Sequence, residues 1–259
     1  MHIVFLGTGT STAIPVIGCD CPVCKSSNPR NKRLRASVTV STPATTILVD
    51  AGPDLHEQAL RHNLTAITAV LYTHEHLDHV AGFDEMRAFC WHIEGRLPLY
   101  AGTRCLEQLK RMYGWAFKDS NNYQGYMRPQ AHDHAGKPFR IGDIDVEPVP
   151  VVHATVETYG YIFRHGGRSF AYLPDVKELP AASRAQLRGL DAIAMDGLRY
   201  RPHPTHLNIE ENMAIMQELS PTRGYVTHTG HNVEYDQLNR ELPPFVESAY
   251  DGLELELKL

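Results

Sequence analysis

Six times in this chain a run of apolar, β-forming residues ends on an aspartate or a histidine. Asp50 follows Ile47-Leu48-Val49, His74 follows Val70-Leu71-Tyr72-Thr73, and His153 follows Val149-Pro150-Val151-Val152. Asp175 follows Phe170-Ala171-Tyr172-Leu173-Pro174, Asp196 follows Ile193-Ala194-Met195, and His228 follows Tyr225-Val226-Thr227. Short apolar runs of this kind read as buried strands. Sheets that deliver polar groups at their strand ends gather them along one edge, where loops leave room for a ligand. Six such deliveries point to a single site.

The rest of the chain fills in an alternating α/β pattern. Further strand-like stretches lie at 3–6, 37–40, 97–100, 144–152, 159–163 and 169–173, and Arg164-His165-Gly166-Gly167-Arg168 reads as a hairpin turn. Asp54 and Glu57 have capping-box spacing ahead of Leu55, Ala59 and Leu60. Thr103 is placed to cap a helix carrying Leu106, Leu109 and Met112, closed by Gly114. Asn208 and Glu211 repeat the box before Ile209, Met213, Met216 and Leu219, with Pro221 just past the end. No internal repeat, linker or composition shift divides the chain, so one domain over residues 1–259 is expected.

With 42% hydrophobic and 21% charged residues in 259, the chain can bury a substantial core. No stretch approaches the ~18 consecutive apolar residues of a membrane span. Met1-His2 runs directly into Ile3-Val4-Phe5-Leu6 without a leader-like segment, so a cytoplasmic protein with no membrane partner is expected. A net charge of -5 gives no global pull toward nucleic acid. Lys25, Arg30, Lys32, Arg33 and Arg35, with no acid among them, are the local exception: a solvated loop, or alternatively a phosphate-attracting rim.

The strongest chemical signal among the 15 histidines is His74-Glu75-His76-Leu77-Asp78-His79. Neutral imidazole and carboxylate bind divalent transition metals, and a catalytic site leaves positions open for water and substrate. In an extended segment His74 and His76 project to one side and can share an ion. The adjacent Asp78 and His79 suit a second ion nearby. Cys19-x-Cys21-x-x-Cys24 supplies three thiolates at zinc-like spacing, too crowded for a disulfide framework. His231, three residues after His228, can complete a Cys3His set, which is coordinatively closed and therefore structural. Cys90 and Cys105 read as small buried hydrophobes.

The H-x-H-x-D-H spacing after a strand, followed in order by His153, Asp175 and His228, resembles the metallo-β-lactamase superfamily over the whole chain. The resemblance implies a four-layer αβ/βα sandwich. It implies that His74, His76 and His153 hold one divalent metal, that Asp78, His79 and His228 hold a second, and that Asp175 bridges them. Ions so bridged sit roughly 3.5–4 Å apart and clamp a phosphoryl centre. Pro174 departs from the small residue commoner before the bridging aspartate. Asp50 is similar to the family's aspartate that orients a ligand without binding metal.

The cysteine loop after the Gly-rich turn Leu6-Gly7-Thr8-Gly9-Thr10, with a histidine three residues beyond the last ligand, resembles the PhnP-like cyclic phosphodiesterases associated with phosphonate breakdown. That resemblance implies hydrolysis of a cyclic phosphate diester, with phosphoribosyl 1,2-cyclic phosphate as type substrate. The implied partner is a small phosphorylated sugar or nucleotide. Manganese or zinc would occupy the catalytic pair, and zinc the thiolate site. His206, just before the capped helix, matches a catalytic histidine of that group and is the expected general acid, with His203 its rival. Asp78 is the other catalytic candidate. Arg201, or the loop around Arg33, is a candidate to receive a terminal phosphate.

The same ligands serve RNA 3′-processing nucleases, which carry a basic RNA-binding extension, and lactonase- or thioesterase-type hydrolases. A binding protein that had lost catalysis would show an eroded ligand set. Residues 113–139, with Trp115, Phe117, Tyr123, Tyr126, His132 and His134, read as an insertion near the mouth of the site, a lid or a homodimer arm.

Overall fold

The computed structural model describes residues 1–91 and 93–258. Strands β1 (His2–Gly7), β2 (Ser37–Ser41), β3 (Thr46–Val49), β4 (Ala69–Leu71), β5 (Leu97–Ala101) and β6 (Pro129–Asp133) lie in one seven-stranded sheet. The other sheet holds β7 (Phe139–Ile141), β8 (Ile144–His153), β9 (Val156–His165), β10 (Arg168–Leu173), β11 (Ala192–Asp196), β12 (Arg223–Thr227) and β13 (Val246–Ser248). β14 (Glu254–Glu256) returns to pair with β1. The spatial orders are β14-β1-β2-β3-β4-β5-β6 and β13-β12-β11-β10-β9-β8-β7.

Side-chain alternation along each strand decides what the sheets bury. Ile3, Phe5, Val38, Val40, Ile47 and Val49 point across to Ile144, Val146, Phe163, Phe170 and Tyr172, forming the core between the sheets. The intervening residues point outward and are covered by helices. Leu6, Leu48 and Val70 pack against Leu55 of the Leu55–Arg61 helix and Leu106 and Leu109 of the Thr103–Met112 helix. On the far side Leu173, Ile193 and Met195 pack against Leu187, Ile215, Met216 and Leu238. Burial on both faces is why these strands read as continuous apolar runs. The result is the α/β four-layer sandwich that the resemblance implies.

Parallel pairing positions the site. β3, β4, β5 and β6 are mutually parallel, as are β10, β11, β12 and β13. Their C-terminal ends therefore share an edge, and Asp50, His74, Asp175, Asp196 and His228 all sit there.

Several local expectations hold. Gly166 and Gly167 take φ of 56° and 74° where His165 pairs with Arg168, the geometry of a tight two-residue hairpin. Asn208 Oδ1 accepts from Glu211 N at 2.7 Å while Glu211 Oε2 accepts from Asn208 N at 2.9 Å, the reciprocal box. Two caps differ. Asp54 does not cap its helix, because its carboxylate accepts instead from Arg35 N at 2.8 Å and Arg35 Nη1 at 2.9 Å. Gly102, not Thr103, precedes the Thr103–Met112 helix, and Thr103 Oγ1 donates to Asp133 at 2.7 Å.

The basic run is a solvated loop only in part: Lys25 and Arg30 are exposed, and the rest are used internally. Arg33 is wholly buried and donates to Val233 O at 3.0 Å, and Arg30 lies over the Tyr235 and Tyr250 rings. Arg35 pairs with Asp54, Lys25 with Asp20, and Lys32 donates to Cys24 O. Arg30 and Arg33 tie the N-terminal loop to the C-terminal loops.

Within 113–139, Ala116 and Met127 are buried over the first sheet, while Trp115, Tyr123 and Tyr126 are exposed. The segment ends in edge strand β6, and His134 reaches inward to Tyr161 Oη at 3.1 Å. Among the described residues no helix is long and apolar enough to cross a membrane.

Candidate active site

Asp50 organises the first half of the site. It ends β3 in the left-handed region, φ 62°, an uncommon conformation for a residue with a side chain. Its buried carboxylate accepts from Thr73 N (2.8 Å), Thr73 Oγ1 (2.9 Å) and His79 Nδ1 (2.7 Å). Burial raises the Asp50 carboxyl above its ordinary value, opposed by His79 and the Thr73 donors. With the Thr73 hydroxyl hydrogen committed to Asp50, its oxygen accepts from His74 Nδ1 at 3.0 Å. His153 Nδ1 likewise donates to Thr205 O at 2.8 Å. In all three histidines one ring nitrogen is tethered, so Nε2 is free to ligate.

Those free atoms converge. His76 Nδ1 lies 2.8 Å from His74 Nε2 and 3.3 Å from His153 Nε2. His79 Nε2 is 3.3 Å from Asp78 Oδ2 and 3.1 Å from Asp175 Oδ2. His228, also left-handed at φ 57°, brings Nε2 to 3.8 Å from Asp78 Oδ2 and 3.6 Å from Asp175 Oδ1. Asp175 Oδ1 stands 3.7 Å from His153 Nε2, so this one carboxylate touches both groups. Glycines allow the approach: a Cβ on Gly52 would collide with the Asp78 carbonyl, and one on Gly82 with the Gly52 carbonyl.

The donor set fits two divalent cations. The ligand atoms of His74, His76 and His153 lie within 4.8 Å of one another, as do those of Asp78, His79 and His228. His79 Nε2, His228 Nε2 and Asp175 Oδ2 are buried and make no hydrogen bond, a costly arrangement that a cation relieves. Burial holds His74 and His153 below their ordinary values, hence neutral and able to ligate. Burial would raise Asp175, but His228 and His79 together hold it well below the usual carboxylate range. Against its own burial, His228 is raised to about 9, chiefly by Asp175. The opening to solvent lies at His76 and Leu77, which are exposed.

His206 stands beside the cluster on the loop between β11 and the Ile209–Leu219 helix. Its Nδ1 donates to Asp196 Oδ2 at 2.7 Å, and its ring stacks on His228 with centroids 5.0 Å apart. Burial lowers it to about 4. Its rival His203 is half-buried, and its Nδ1 accepts from Thr205 N at 3.3 Å. Asp196 also accepts from Val176 N at 2.9 Å, a supporting role that sequence reasoning misses. Its recurring position at a strand end is the one signal that marks it.

A second cluster joins distant parts of the chain. His231 Nδ1 lies 3.2, 3.6 and 3.9 Å from the sulfurs of Cys19, Cys21 and Cys24. A tetrahedral zinc with Zn–S about 2.3 Å and Zn–N about 2.0 Å has S···N edges of about 3.5 Å, so these four fit. Cys21 is lowered to about 6, first by the Cys24 backbone N–H, toward the thiolate that ligates. Cys90 and Cys105 are buried. Changing Cys21 to Ser is expected to remove one zinc per chain and lower Tm while the catalytic metals stay. Metal analysis and a melt check this, and unchanged total metal would reject the site.

The geometry agrees with relatedness. A family profile described as "Beta-lactamase superfamily domain" matches residues 45–229. A solved structure described as a new diphosphatase from the PhnP family superposes with a TM-score of 0.91 at 38% identity, covering 100% of this chain and 98% of that one. Zinc-bound PqqB from Methylobacterium extorquens superposes at 0.82 with 22% identity, covering 99% and 100%. Among curated relatives, a Porphyromonas gingivalis octanoyltransferase is 35% identical across 98% of this chain. This chain spans about half of that protein, 51% of its length. With a family match over most of the chain and a full-length relative at 38% identity, the chain belongs to the beta-lactamase superfamily and, within it, to the PhnP family.

Proposed function

We propose that this protein is a two-metal phosphodiesterase that opens a cyclic phosphate ester of a small phosphorylated sugar or nucleotide, phosphoribosyl 1,2-cyclic phosphate being the type substrate. The observation that carries this reading is Asp175, whose two oxygens lie within 3.1–3.7 Å of His79, His228 and His153. His74, His76 and His153 would hold one cation, Asp78, His79 and His228 the other, with Asp175 shared. Manganese or zinc so held supplies Lewis-acid stabilisation of the phosphate's non-bridging oxygen and lowers the pKa of the attacking water.

The chain's own residues do the rest. Asp50 and Thr205 fix ring orientations. Asp196 accepts from His206 Nδ1 and so orients Nε2. As the imidazolium, which the anionic substrate favours against burial, the ring gives its Nε2 proton to the departing ester oxygen and returns to the neutral form. An alkoxide leaves poorly without such a proton. The His206 side chain is 11% exposed, against 2% for Asp175, so a substrate can reach it.

A second reading, cleavage of a diphosphate bond, draws on the description of the 38% identical PhnP-family structure. Acyl hydrolysis draws only on the name of a relative twice as long. An RNA 3′-processing role is disfavoured by the net charge of -5 and by the internal use of the basic run. The thiolate cluster suits a reducing compartment, and we infer a cytoplasmic location.

The test is a panel on metal-loaded protein: bis-p-nitrophenyl phosphate, ribosyl cyclic phosphate, a nucleoside diphosphate, a lactone and an octanoyl thioester. Turnover of the diesters is expected. Turnover of the lactone or thioester alone would sink the phosphodiesterase reading.

A further inference from the structure

A polar cavity lies outside the metal cluster, and the two-metal chemistry leaves it unused. It measures about 360 Å³, within the ~300–1,000 Å³ of small-ligand sites, and is lined by Arg199, Tyr200, Arg201 and Asn232. Arg199 is already fixed: its Nε donates to Arg201 O at 3.1 Å and one Nη to Pro202 O at 2.7 Å. Arg201 is exposed and makes no side-chain hydrogen bond or ion pair among the described residues. Two guanidiniums and a side-chain amide thus face a cavity with no carboxylate in its lining, on a chain of net charge -5. Glu241 and Glu234 lie close enough to influence the Tyr200 hydroxyl, but neither lines the cavity.

Its position ties it to the reaction. Arg201 is five residues before His206, and Asn232 is four residues after His228. Backbone hydrogen bonds hold the two loops side by side: Gly230 N to Leu198 O at 2.8 Å, Leu198 N to Leu207 O at 3.0 Å and Ile209 N to Arg199 O at 3.0 Å. A planar, always-charged guanidinium pair with extra donors is the arrangement that grips a phosphate monoester dianion bidentately.

We infer that this cavity is a phosphomonoester subsite, taking the terminal phosphate of a substrate whose reacting phosphorus sits at the metal cluster, with Arg201 its specificity-determining residue. The inference rests on the phosphodiesterase reading for its role in turnover, but not for binding. Arg201 is the residue to change, since Arg199 also braces the loop of His206.

The experiment compares wild type with Arg201→Ala and Arg201→Lys, all metal-loaded. Calorimetric titration with ribose 5-phosphate should show binding about 10- to 100-fold weaker in Arg201→Ala, the loss of a charge-assisted contact. Arg201→Lys should recover part of it. KM for ribose 1,2-cyclic phosphate 5-phosphate should rise similarly, while kinetics on ribose 1,2-cyclic phosphate without the 5-phosphate stay at wild-type values. Any phosphate binding at the metals is common to all three proteins and cancels. Equal ribose 5-phosphate affinity in all three, or equal losses on both cyclic substrates, would overturn the subsite. If no diester is turned over but the titration difference appears, the subsite stands and the phosphodiesterase reading falls.

Discussion

Replacing His206 with alanine is expected to slow hydrolysis of a diester with an alkoxide leaving group by about 10²–10⁴-fold, the contribution of a positioned general acid. The same variant should lose far less on bis-p-nitrophenyl phosphate, because p-nitrophenolate departs without a proton. That contrast separates a proton donor from a residue that merely supports the fold. It also separates a donor from a metal ligand, since His206 Nδ1 lies 3.9 Å from Asp175 Oδ1 and could be read as one. The 2.7 Å bond to Asp196 commits Nδ1 elsewhere, so metal content should be unchanged. A proportionate loss on both substrates with loss of one metal would assign His206 to coordination instead.

Asp175→Asn keeps the size of the side chain and removes its charge. With Asp175 gone as an anion, His79 and His228 lose the partner that balances both. Removing one member of a buried charge set costs roughly 3–5 kcal/mol, so metal affinity should fall by roughly 10²–10⁴-fold. Both catalytic cations are expected to weaken together, measured by metal analysis after dialysis against a weak chelator, while the Cys3His zinc is retained. Loss of a single cation with the other held at wild-type affinity would mean that Asp175 serves one ion and does not bridge.

Much of this site is legible in the amino-acid sequence alone. Strand ends pick out Asp50, His74, Asp175, Asp196 and His228 because strands buried on both faces read as continuous apolar runs, and a polar residue marks where the run ends. His153 ends β8, which exposes Pro150 and Val152 on one face. The resemblance to the PhnP-like group joins His231 to three cysteines more than 200 residues away, and the fold brings the four together. What the sequence conceals is of two kinds. Strands β6, β7, β13 and β14 are short and lie at sheet edges, so they tolerate polar residues such as exposed Gln130 and half-buried His132, and no apolar alternation announces them. Side-chain partners set by tertiary contact are hidden too. Asp54 abandons its helix for Arg35, and Arg33 buries its charge among carbonyls of a loop 200 residues away. The pairing of Asp196 with His206 belongs to this second group, since a separation of ten residues carries no periodic signal of it.

The most direct test of the central claim is the fate of solvent oxygen during a single turnover of ribosyl 1,2-cyclic phosphate in ¹⁸O-labelled water. Attack of water at phosphorus beside Asp175 predicts one ¹⁸O atom in the product phosphate and none on the sugar. Unlabelled phosphate with label on the sugar carbon, or no turnover by fully metal-loaded protein, would contradict it.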